Sequence, residues 1–155
     1  MDEIKLYLQR SENELVMAEA LYRLSFDTNA KEFFDIEDKF TFYNGVIAHS
    51  YYSIFYCAKA LLLKENVKTK APQVHKKTLQ QFEKVLVKTG KLDFKLLHIY
   101  KKIIVKADEL LSIFSEERSK RGAFKYQKLP HANKEPAKDS LNNALKFFKN
   151  TNVLV

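Results

Sequence analysis

With 155 residues the chain has room for one domain, and with 46% hydrophobic residues it can fill a core, which excludes disorder over most of its length. Only 3 Gly and 3 Pro are present, too few turn formers for an all-β fold. The net charge of +8 is unevenly spread: residues 1–43 carry ten acids against five cations, residues 44–106 carry 13 Lys against three acids, and residues 107–155 carry nine cations against six acids. A basic middle attracts phosphate backbones, although lysines that only solvate helix faces would give the same count.

Helix formers dominate, and apolar spacing predicts five helices. The first covers about Asp2 to Leu24, with Ile4, Leu8, Leu15, Ala18 and Tyr22 on one stripe and Glu12, Glu14 and Glu19 turned away. Next comes FDTNAKEFFDIEDKFTF, Phe26 to Phe42, acidic and ring-rich together. Too many rings stand here for a plain loop, so the segment reads either as a short helix packed on the end of the bundle or as a docking surface for a basic partner. It forms an insertion, 26–43, between the first two long helices of a single domain spanning 1–155.

The second long helix, about Asn44 to Lys64, is the most informative part of the chain. From Asn44 to Ala58 it carries no charge, while Tyr51, Tyr52, Phe55 and Tyr56 recur at helical spacing among Ala48, Ser50, Ser53 and Ala58. A helix without a charged face is buried nearly all round, and each buried tyrosine hydroxyl needs a partner. It is therefore the centre of a bundle or half of a dimer interface, and a homodimer is expected. His49 within it reads as a hydrogen-bonded core residue, and Cys57, the only cysteine, as a buried thiol suited to a reducing compartment. The acidic start is no secretory signal, and the apolar run 45–58 falls short of the roughly 20 residues of a membrane span, so a cytoplasmic chain without a membrane partner is expected.

The third helix covers about Pro72 to Lys88, with Pro72 in its first turn, Val74, Phe82, Val85 and Leu86 inward, and Gly90 at its stop. The fourth runs from about Asp93 to Ser119. Leu97, Tyr100, Ile104, Ala107, Leu111 and Phe114 form one row, and Leu96, Ile103 and Leu110 a second. The fifth runs from about Glu135 to Asn150, with Leu141, Ala144, Leu145 and Phe148 inward. Long amphipathic helices and short links give an all-α, up-and-down antiparallel bundle.

Chemistry is signalled more faintly. His49, His75, His98 and His131 lack metal-ligand spacing, so neither a metal nor a cofactor is expected. No phosphate-binding glycine loop and no nucleophile elbow occurs. Asp35, Glu37 and Asp38, and Asp108 with Glu109, read as exposed carboxylates. What remains is ERSKRGAFKYQKLPHANK, Glu117 to Lys134. Here Arg118, Lys120, Arg121, Lys125, Lys128, His131 and Lys134 interleave with Phe124 and Tyr126. Cations among rings can hold a phosphate backbone and stack a base. The same charges could instead complement the negative end of the fourth helix.

The sequence AHSYYSIFYCAKALLLKENVKTKAPQVHKKTLQQF resembles the HEPN superfamily, through Ala48, Tyr51, Tyr52, Phe55, Ala58, Ala60, Leu61 and Leu62 and then His75 in a lysine-containing link. The later ERSKRGAFKYQK and AKDSLNNALKFF resemble the family's arginine-containing turn and closing helix, so the likeness covers roughly 44–150. The resemblance implies a helical bundle that often dimerises and often pairs with a minimal nucleotidyltransferase in toxin–antitoxin operons. It also implies, for many members, metal-independent RNA cleavage through an Arg-x(4–6)-His motif. That spacing is not matched here: it falls on Ala123, Phe124 or Lys125 after Arg118, and on Tyr126, Gln127 or Lys128 after Arg121. His131 lies ten positions past Arg121.

Three readings follow. One is an RNA- or nucleotide-binding component using Arg118, Lys120, Arg121, Lys125, Tyr126 and Lys128. Another is a ribonuclease with Arg121 and His131 as the acting pair. The third is an interaction module that docks a partner through Phe26–Phe42.

Overall fold

A computed structural model describes residues 2–111 and 134–155. All regular structure among the described residues is helical: α1 Glu3–Phe26, α2 Thr28–Phe33, α3 Tyr43–Lys64, α4 Val74–Gln81, α5 Phe94–Leu111 and α6 Lys134–Asn152. The five expected long helices are all present, and the acidic, ring-rich insertion holds the short α2.

The uncharged segment lies at the centre. α3 packs against α1, α4, α5 and α6. Val46, Ile47, Tyr51, Ile54, Ala58, Leu61 and Leu62 are all buried in it. Each large side chain removed from water there contributes about 1.5–3 kcal/mol. The 22 residues of α3 reach the length and composition of a helix able to cross a bilayer, beyond what the run 45–58 alone suggests; 67% of its most apolar stretch is covered by the chain's own helices. Most of the segment's apolar surface is thus covered inside one chain.

α1 starts where the Asp2 carboxylate accepts from the Ile4 amide at 3.1 Å. Its buried residues are Tyr7, Ser11, Leu15, Ala18 and Ser25; Leu15 and Ala18 of the expected stripe are among them, while Ile4, Leu8 and Tyr22 are only partly covered. Ser11 faces inward because its hydroxyl is satisfied there, donating to the Ser53 carbonyl at 2.7 Å. Glu14, expected to point to solvent, instead pairs with His49 across the α1–α3 seam.

α4 begins at Val74, two residues after Pro72, because Gln73 has a left-handed backbone with φ 55°. It continues as a π-helical turn over Phe82–Val87, closed by the Lys88 amide on the Glu83 carbonyl at 2.8 Å. The turn after it uses Gly90 at φ 79°, the left-handed position anticipated at the helix stop. α5 buries Leu97, Tyr100 and Ala107 of one expected row and Leu96 and Ile103 of the other, while Ile104, Leu110 and Leu111 are only partly covered. Phe82, Tyr100 and Phe147 bring α5 and α6 together over the π-helical turn, with ring centroids 5.3, 5.7 and 6.0 Å apart. On α6 the fully buried ring is Phe147, and Phe148 is only partly covered.

Candidate functional site

Position 51 puts a tyrosine in the middle of the buried helix, where its hydroxyl must find a partner. That partner is His75: its Nδ1 lies 2.8 Å from the Tyr51 oxygen. The imidazole sits on the Phe55 ring, centroids 4.4 Å apart, and edges Tyr52 at 5.9 Å. Burial, with smaller contributions from Tyr100, Tyr52 and the Asp108 charge, pushes the Tyr51 phenol above its ordinary range. The phenol stays protonated at neutral pH. When it donates to Nδ1, the imidazole carries its own proton on Nε2.

The link before α4 fixes this histidine. Thr69 and Thr78 are both buried and share a hydrogen bond of 2.7 Å, tying the link to the helix it precedes. Lysines surround it. Lys70 and Lys76 are exposed on either side of His75, and the Lys77 ammonium reaches the Lys70 carbonyl at 3.4 Å. Lys68 pairs with Glu3 at 2.8 Å, which raises the lysine's pKa and lowers the carboxylate's. Lys59 lies over the Tyr7 ring at 4.9 Å and the Phe55 ring at 5.6 Å. The result is a basic ledge resting on a bed of aromatic rings.

Arg118, Lys120, Arg121, Lys125, Tyr126, Lys128 and His131 lie outside the described residues. So does the end of the fourth predicted helix beyond Leu111. Of the carboxylates read as exposed, Asp35, Glu37, Asp38 and Glu109 are so, whereas Asp108 is half-buried and acts electrostatically on Tyr51. His49 is hydrogen-bonded to Glu14 as expected, but it is half-buried rather than enclosed in the core. Cys57 is buried, its thiol pushed up by burial and its sulfur 3.0 Å from the Ser11 hydroxyl. The sequence marks His75 only through the resemblance of its link. The physical signal for it is the buried tyrosine that needs a polar neighbour.

An all-α fold with a central helix uncharged from Asn44 to Ala58 and a basic link leading into a histidine-bearing α4 defines a class of small helical proteins. The family model for the HEPN domain matches residues 18–153, and the chain belongs to that family. It is also similar to a protein of Methanocaldococcus jannaschii whose name marks it as a candidate toxin, 32% identical over 94 residues, which cover 61% of this chain and 51% of that protein. The chain spans about half the length of this relative. No solved structure matches.

Proposed function

We propose that this HEPN-domain chain is the toxin-type component of a two-protein system and binds RNA or a nucleotide through its phosphates. The observation that carries the reading is the His75 imidazole, held by Tyr51 on the Phe55 ring between exposed lysines. Cations beside rings suit a single strand, whose phosphates take the charge and whose bases stack. Family membership and the relative named for toxicity support the same reading. Arg118, Lys120, Arg121, Lys125, Tyr126, Lys128 and His131 belong to the proposed contact set. A homodimer and a minimal nucleotidyltransferase as antitoxin partner complete the proposal.

Titration of the folded protein with labelled single-stranded RNA in EDTA tests it. Binding is expected at low salt, and Lys70→Glu with Lys76→Glu should weaken it about tenfold while reducing the salt slope by roughly one per lost phosphate contact. Absence of binding at low salt rejects the reading. A held imidazole also favours a second reading, metal-independent cleavage. The same samples on a gel decide it: cleavage lost in His131→Ala or His75→Ala supports it, and intact RNA at high protein concentration removes it.

A further inference from the structure

The acidic end of the molecule carries a surface that the phosphate-binding reading does not use. Val16, Ala20 and Leu24 recur every fourth residue on α1, with Val16 61% exposed. Their stripe runs into a groove of about 550 Å³ between α1 and α2, bounded by Ala20, Leu24, Ala30 and Phe34. Phe33 and Phe34 stand at its lip, 81% and 61% exposed, stacked edge to face at 5.0 Å. Rings this exposed do not contribute to the fold that presents them.

Acids outnumber cations around the groove, whose lining also holds Arg23, Asp27 and Asn29. Residues 12–40 hold eight acids against three cations. All three cations are engaged locally: Arg23 with Asp27 at 3.8 Å, Lys39 with Glu37 at 3.4 Å, and the buried Lys31 with the Asp38 carbonyl at 2.6 Å. The surface around the groove is therefore acidic on balance, from Glu12 and Glu19 on α1 to Glu32 in α2 and Asp35 just after it. Such a rim repels nucleic acid. It also opposes a two-fold contact with a second copy, since that would set the same acids against themselves.

We propose that the α1–α2 groove docks a separate protein through a basic amphipathic helix, its apolar side chains entering between Leu24 and Phe34 and its cations meeting the rim. A helix laid in a groove with anchors every third or fourth residue matches the spacing of the α1 stripe. The surface is independent of the His75 ledge, so neither reading depends on the other.

The probe is a fluorescent five-turn amphipathic helix of Leu and Lys, with a Leu/Glu helix of the same pattern as comparison, titrated against the full chain. The Leu/Lys helix should bind and weaken with salt. Phe33→Ser with Phe34→Ser should weaken it at least tenfold, and so should Ala20→Arg, which obstructs the groove floor. Phe94→Ser, an exposed ring at the start of α5, should leave it unchanged. Equal binding by the groove variants, equal loss in Phe94→Ser, or equal binding of the Leu/Glu helix would overturn the proposal. So would light scattering that shows a wild-type dimer dissociated by the groove variants. Far-UV circular dichroism of each variant separates loss of the surface from loss of the fold.

Discussion

Tyr51 and Tyr100 are chemically alike and equally buried, yet their hydroxyls have different neighbours. Tyr51 has His75; the Tyr100 hydroxyl, fully enclosed with Phe82 and Phe147, has no hydrogen-bond partner among the described residues. An unsatisfied buried hydroxyl costs about 1–3 kcal/mol, so Tyr100→Phe should stabilise the protein at neutral pH by about 1 kcal/mol. Burial raises both phenols above their ordinary value of 10.0, so the unfolded chain ionises first. Stability is then full below about pH 10 and falls as pH rises past it. Tyr100→Phe removes one of these groups and should flatten that alkaline fall. Urea unfolding at neutral pH and at about pH 11 reads both effects. Destabilisation at neutral pH would mean that water satisfies the hydroxyl. That buried tyrosines need partners is legible in the sequence; which of them obtains one depends on where the α4 link returns.

At the scale of the element, the α1–α3 seam is built from small residues. Ser11, Ala18, Ser53 and Ala58 are all enclosed, and the Ser11 hydroxyl lies 3.0 Å from both the Ser53 hydroxyl and the Cys57 sulfur. Ser11→Ala removes hydrogen bonds but no volume and should cost about 1 kcal/mol. Ser11→Leu must separate the helices and should cost about 1–3 kcal/mol for overpacking in addition. Thermal unfolding of both distinguishes a close seam from a loose one, since a loose seam would tolerate leucine as well as alanine. Apolar periodicity finds Leu15 and Ala18 on this face but passes over Ser11 between Leu8 and Leu15, because a serine satisfied by a backbone carbonyl scores as polar. Glu14 is misread for the same reason, since its partner His49 is 35 residues away in sequence. On α6 two adjacent rings, Phe147 and Phe148, are equivalent to any count of spacing, and packing against Phe82 decides between them.

For the whole molecule, the decisive fact is that α3 is enclosed by α1, α4, α5 and α6 of the same chain. The uncharged run is legible as interior from its composition, but composition alone leaves open whether the covering helices are its own or a partner's. Contacts within the chain decide it, since α1, α4, α5 and α6 all pack on α3. A core covered within one chain predicts that folding needs no second copy and that any homodimer forms between chains already folded. If folding and dimerisation were one event, a hundredfold rise in protein concentration would add about 2.7 kcal/mol of apparent stability. At about 2–4 °C per kcal/mol for a chain of this size, that is a rise in Tm of roughly 5–11 °C. The enclosed α3 predicts instead a Tm constant to within about 1 °C over the same range, well below that shift. Circular dichroism melts from low micromolar protein upward measure it. A Tm that climbs with concentration would mean that part of the core lies between two chains, and the uncharged helix would then be the first surface to examine.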